Sequence, residues 1–327
     1  MPLPSDERII ALSEKLIEQF DTIFGLHPGF RPAHAKGLLL TGVFRPSANA
    51  SKLTRAPHIK RDSTTVAVRF SNSTGLPTVP DTDGNADPRG LAIRFQLAEH
   101  LHTDIVSHST DGFPTRTGEE FLELLQAIAA STSSQESPSP IEKFLGTHPA
   151  ALAFVQTPKP TPVSFAQEQY FGVTAMRFTN DDGVSRFGRY RILPESGVQH
   201  LSADEAKTKT GDFLFEELAQ RLTTAAVRFR IVVQLAKEGD VVNDATVHWP
   251  EDREIVEFGT LTLTSIASDN AREQQKIIFD PIPRVEGLEP SDDPLLELRA
   301  AVYLLSGRRR RKAPQLEEVS RASTAVQ

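Results

Sequence analysis

Short runs rich in apolar residues, separated by polar turn-forming stretches, recur along this chain. GLLLTGVF (37–44), TTVAVRFS (64–71) and GLAIRFQL (90–97) are rich in Val, Leu and Phe and predict strands. PDTDGNADPRG (80–90), dense in Asp, Gly and Pro, predicts the turn region before the third of them. A second group follows: FGVTAMRFT (171–179), SRFGRYRIL (185–193), VRFRIVVQL (227–235) and EIVEFGTLTLTSI (254–266). Elsewhere the period is helical. Ile9, Leu12, Leu16 and Phe20 fall on one face of 6–20 and predict an N-terminal helical arm within residues 1–22. Residues 118–130 open on Glu119 and Glu120, carry Phe121, Leu122, Leu124 and Leu125, and predict a second helix; 212–225 predict a third. STSSQESPSP (131–140) reads as a polar linker, and the polar residues 312–327 as a flexible tail. No repeat of fixed period is present. Strands at this density, joined by long connections, predict an α+β chain built on an antiparallel barrel or sandwich with helices attached.

The C-terminal run SDDPLLELRAAVYLLSGRRRR predicts a further helix. Ser291 is the expected N-cap, Asp292 and Asp293 suit the positive end of the helix dipole, and Pro294 suits the first turn. Arg299 and Tyr303 are four apart and so share a face. A fixed cation beside a phenol favours phenolate, the form that ligates ferric iron. On its own such a pair is ordinary helix-surface packing. It gains meaning from the first third of the chain.

Composition narrows the classes. The 327 residues carry a net charge of −7, which argues against a general nucleic-acid role. The basic run RRRRK (308–312) is then a solvated helix end whose charge suits the dipole. Cysteine is absent, which excludes a disulfide framework, a zinc ribbon and a thiolate-ligated haem. The N-terminal twenty residues lack a basic stretch followed by an apolar core, so no secretory signal is expected. No apolar run approaches the roughly 20 residues of a membrane helix, and the cytoplasm is the expected compartment.

Several segments, in order, resemble the catalase superfamily: RPAHAKG (31–37), AVRFSNSTG (67–75), NADPRGLAIRF (85–95), DIVSHSTDGFPTRTGEEF (104–121), VHWPE (247–251) and FDPIPRVEGLEPSDDPLLELR (279–299) leading to Tyr303. The resemblance runs from about residue 30 to 311. It implies a catalase-like antiparallel barrel as a single domain over 1–327, with haem b buried between the barrel and the C-terminal helix. It implies His34 as the distal acid–base residue, Ser71 as the partner that fixes its tautomer, and Tyr303 as the iron ligand, with Arg299 holding that ligand ionised. Arg31, Arg69 and Arg310 match the arginines that pair with the haem propionates, and Phe121 matches a phenylalanine packed near the haem. Arg69 and Ser71, two apart on a strand, face the same way as a shared site requires.

The chain also departs from the family's pattern. His108 stands where typical catalases carry the distal asparagine, which changes the size, polarity and protonation of the site. Pro32 and Ala33 replace larger aliphatics, and LLSGRRR follows Tyr303 in place of a Pro-Asp-Thr run. The chain ends soon after Tyr303, as in the small catalase-related peroxidases. The resemblance therefore implies a peroxidase that reduces hydrogen peroxide or organic hydroperoxides with one-electron organic donors, with weak catalase activity. A fatty-acid hydroperoxide isomerase or dehydratase and a non-enzymatic haem-binding protein are the alternatives. A homodimer is the expected assembly, without nucleic acid or membrane insertion.

Overall fold

The computed structural model describes residues 2–315. In chain order its elements are α1 (Glu7–Phe24), β1 (Gly37–Pro46), β2 (Thr64–Ser71), β3 (Gly90–Ala98), β4 (Leu101–His108), α2 (Gly118–Ser131), α3 (Pro140–Thr147), α4 (Pro149–Gln156), β5 (Tyr170–Phe171), β6 (Met176–Thr179), β7 (Ser185–Pro194), α5 (Ala203–Lys207), α6 (Phe213–Leu222), β8 (Val227–Leu235), β9 (Ile255–Ile266), α7 (Asn270–Lys276), β10 (Leu288–Pro290) and α8 (Leu295–Lys312). All strand pairings are antiparallel. The order β1-β2-β3-β4-β5-β7-β8-β9 returns to β1, so eight strands close a barrel and leave no edge among them. β6 and β10 extend it beside β7.

Strand alternation decides which face each residue sees. Val66, Val68 and Phe70 of β2 and Leu91, Ile93 and Phe95 of β3 fill the barrel with Phe44, Phe178, Phe229 and Phe258. Burial of each such side chain contributes about 1.5–3 kcal/mol. The intervening residues Ala67, Arg69 and Ser71 then face outward, as the two-residue spacing of Arg69 and Ser71 requires. Outside the wall, Leu39 and Ala67 pack with Ala267 and Phe279, and α1, α2 and α8 meet through Leu16, Leu125 and Leu298. Asp21 of α1 pairs with Arg309 of α8, with Nη2 3.0 Å from Oδ1.

Several expectations need correction. Ser291 does not cap α8, and its hydroxyl is buried without a hydrogen-bond partner. The Leu295 amide instead donates to Asp293 Oδ1 at 2.9 Å, because the helix starts only after Pro294. The predicted strand 171–179 is two strands. β5 and β6 pair with different parts of β7, Phe171 opposite Arg191 and Met176 opposite Gly188. The surplus residues between them bow out and place Val173 against Leu295. β4 went unread as a strand. The N-terminal helix continues to Phe24, past the expected arm. Of the expected tail 312–327, Lys312 belongs to α8 and residues 316–327 lie outside the described residues.

One buried group yields a pH prediction. The His58 ring lies among Phe44, Phe95 and Phe258, at centroid distances of 6.0, 4.7 and 5.7 Å, and its Nδ1 has no hydrogen-bond partner among the described residues. Burial, then the charge of Arg61, pushes its pKa down to about 3. Between an unfolded value of about 6.5 and that native value, the unfolded chain takes up a proton that the native one refuses, so stability falls as pH falls. His58→Phe removes this share. Its stability margin over wild type should grow by ~2 kcal/mol from pH 8 to pH 5, at about 1.4 kcal/mol per pH unit below 6.5. Urea unfolding at the two pH values checks it, and equal margins would contradict it.

Candidate functional site

The outer faces of β2, β3 and β4 carry one aligned row. Ser71 lies opposite Gly90, and Gly90 lies opposite His108. The middle position has no side chain, and the His34 ring occupies that gap. A Cβ at residue 90 would stand 2.8 Å from His34 Nδ1 and closer still to Ser71 Oγ. Glycine is thus required by close approach rather than by its backbone angles. His34 Nδ1 lies 3.1 Å from Ser71 Oγ, the contact expected from the sequence.

His34 takes a left-handed backbone angle, φ 57°, which is strained for a residue with a side chain. Flanking bonds enforce it: the His34 amide donates to Ser73 O at 2.7 Å and the Ala35 amide to Thr74 O at 3.0 Å. Behind them lies a buried polar network that the sequence did not reveal. Lys36 Nζ donates to Asp81 Oδ1 at 2.6 Å, Asn72 Nδ2 to the same oxygen at 2.7 Å, and Arg89 Nη1 to Asn72 Oδ1 at 2.6 Å. Arg89 also pairs with Asp87 at 3.0 Å. Burial raises Asp87 to about 6 against the pull of Arg89. Such a network fixes the strand end and loop that carry His34 and Ser71.

This row and α8 line one cavity of about 230 Å³. Arg299 and Tyr303 line the cavity together, with Arg299 Nη2 3.3 Å and Nε 3.4 Å from the phenol oxygen. Phe121 from α2 completes a wall with Phe113, at a centroid distance of 5.0 Å, and with Phe20 of α1 at 6.1 Å. Leu16 and Phe20 close the cavity from the N-terminal helix. His34, His108, Phe121, Arg299 and Tyr303 each remain partly exposed, and all five line the cavity.

Arg31, Arg69 and Arg310 also converge on this cavity from distant segments. Arg31 Nη2 and Arg310 Nη2 share the carbonyl of Ile277, at 3.0 and 2.9 Å. Arg69 Nε donates to Gln274 Oε1 at 2.7 Å, and Arg31 Nη1 to the Gln274 carbonyl at 3.1 Å; Gln274 was not anticipated. Arg69 Nη2 donates to the His34 and Ala35 carbonyls. Among the described residues no carboxylate forms an ion pair with any of the three. Burial, then mutual repulsion, lowers Arg69 to about 9 and Arg310 to about 8, and pushes Arg31 well below its ordinary value. Three guanidiniums with no carboxylate partner among the described residues suit an anionic group.

The two imidazoles stay neutral. Burial lowers His34 to about 3, aided by the charges of Arg69, Arg31 and Arg299. Burial lowers His108 to about 3 as well, aided by Arg299, His34 and Lys159. Every residue singled out from the sequence therefore lies on this one cavity: His34, Ser71, His108, Arg31, Arg69, Phe121, Arg299, Arg310 and Tyr303. A phenol oxygen, neutral imidazoles, aromatic side chains and an arginine cluster lining one cavity suit a flat, apolar group with acidic substituents and a central ferric ion. The residues present fit haem.

Comparison with known proteins follows the same line. Residues 27–322 match the family model described as catalase. A catalase-related peroxidase of Mycolicibacterium paratuberculosis is 35% identical over 285 residues, covering 86% of this chain and 89% of that protein. One from Synechococcus elongatus is 32% identical over 297 residues, covering 90% and 87%. Among solved structures, catalase A from Saccharomyces cerevisiae superposes with a TM-score of 0.77 at 20% identity, over 90% of this chain and 64% of that one. A bacterial catalase gives 0.76 at 24% identity, over 90% and 60%. The likeness to these two shows the fold, and the chain spans about three fifths of their length.

Proposed function

The chain belongs to the catalase family and is a peroxidase of the catalase-related kind; from that premise we propose how its own residues serve the reaction. Peroxide is the substrate and haem the cofactor; we assign haem b, with one-electron organic donors as reductants. In balance, one hydrogen peroxide, two donor electrons and two protons give two waters. When bound, haem would supply an iron–porphyrin unit able to take two oxidising equivalents from peroxide and pass them to donors singly.

Tyr303 is the residue that would ligate the iron, and Arg299 holds its oxygen by two hydrogen bonds. Arg31, Arg69 and Arg310 would bind the propionates, whose carboxylates supply the missing counter-charge. Phe121, which lines the cavity, would pack beside the haem. His34 takes the proton from the peroxide oxygen near it and delivers it to the other, a transfer that requires a neutral ring at the start. Ser71 fixes the orientation of that ring. His108 lines the same cavity as His34, and oxygen release is proposed as a minor outcome of the reaction.

The observation that carries this reading is the convergence of the Tyr303–Arg299 pair and the His34–Ser71 pair on one cavity. The single domain over 1–327, the cytoplasm and a homodimer are carried forward from the sequence. Among the described residues no helix is long and apolar enough to cross a membrane. The test is to load the protein with haem and follow donor oxidation and oxygen release per peroxide consumed.

A further inference from the structure

His108 ends β4 and closes the row Ser71–Gly90–His108, so it looks onto the same cavity as His34. The two imidazoles are tethered differently. His34 Nδ1 meets a hydroxyl, Ser71 Oγ at 3.1 Å, which can donate or accept. His108 Nδ1 instead receives the backbone amide of Thr110 at 3.3 Å. An amide only donates, so this nitrogen must carry a lone pair and the ring proton must sit on Nε2. The turn that holds Thr110 is itself braced: the Ser109 amide donates to Arg89 O at 2.8 Å, and Ser109 Oγ accepts the Arg89 amide at 2.9 Å.

We propose that His108 is a substrate-positioning residue with a backbone-locked tautomer: it offers Nε2–H to a peroxide oxygen as a donor and does not act as a base. This inference rests on the peroxidase reading above and deepens it. A peroxide has two oxygens, and the cavity has two imidazoles with separate tasks. His34 moves the proton. His108 donates a hydrogen bond to the oxygen on which negative charge grows as the O–O bond breaks. Burial keeps the His108 ring neutral, so the donor count stays at one across ordinary pH. A side-chain amide can supply the same donor, whereas a phenyl ring of similar size cannot.

The test uses wild type, His108→Asn and His108→Phe, each loaded with haem. Cyanide is the probe: it ligates haem iron and accepts a hydrogen bond. Loss of one donor to a charged acceptor should weaken cyanide binding about 10- to 100-fold in H108F. H108N should bind within a few-fold of wild type. A separate reading comes from ¹⁵N-histidine NMR on wild type loaded with diamagnetic zinc protoporphyrin, the His108 signal being the one lost in H108N. The expected signal is an Nε2–H tautomer. Equal cyanide affinity in all three proteins, or an Nδ1–H tautomer, overturns the proposal while leaving the peroxidase reading intact. If wild type takes up neither haem nor zinc protoporphyrin, that reading falls and this inference falls with it.

Discussion

Tyr303→Phe is expected to weaken haem binding more than about 100-fold, beyond the 10–100-fold typical when only an outer partner of a ligand is lost. The chain has three tyrosines. Tyr170 is sealed in the barrel core with its hydroxyl donating to Phe165 O at 2.9 Å, and Tyr190 is buried there against Phe178 and Phe258. Burial pushes both phenols far up, which disqualifies them as phenolate ligands. Tyr303 alone among them lines the cavity, and no cysteine can replace it. Haem titration followed by gel filtration checks the prediction. Undiminished uptake with an unchanged Soret band would remove Tyr303 as the ligand.

His34→Ala should retain haem and slow peroxide consumption by roughly 10²–10⁴-fold, the usual worth of a positioned acid–base group. The magnitude follows from the lack of a substitute. Ser71 is a weak base, and His108 Nδ1 already accepts the Thr110 amide. Steady-state rates on variant protein with matched haem content check it, and a wild-type rate would end the assignment. Because burial holds His34 near pKa 3, wild-type activity should show no histidine titration between pH 5 and 8.

Much of the barrel was legible because its strands are short runs rich in Val, Leu and Phe: the ends of GLLLTGVF, TTVAVRFS and VRFRIVVQL lie close to those of β1, β2 and β8. β4 was not. LHTDIVSH places Asp104 in a buried ion pair with Arg94, at 2.7 Å, where alternation would put an apolar residue or an exposed charge. Without β4 there is no register, and without register the row Ser71–Gly90–His108 stays hidden. Gly90 was the available signal, since a glycine inside a strand marks a close approach of another group. The α8 start was misassigned because Ser291 is a good cap by type and Pro294 suits a first turn, whereas the helix begins at Leu295 with Pro294 itself in the cap position. The arginine cluster could not be read from spacing at all. Arg31 and Arg310 meet over the carbonyl of Ile277, in a segment with no chemistry of its own, and only the family resemblance linked them. The Lys36–Asp81–Asn72–Arg89 network is likewise a product of folding, since single polar residues in loops give no sign of where their side chains will be buried.

The central claim is that this cavity reduces peroxide at the expense of a donor. The most direct test records dissolved oxygen and donor oxidation together, per hydrogen peroxide consumed, on haem-loaded wild-type protein. Two donor equivalents oxidised per peroxide with little oxygen released is the predicted result. Oxygen at half the peroxide consumed, with the donor untouched, would contradict it and make the protein a true catalase despite His108.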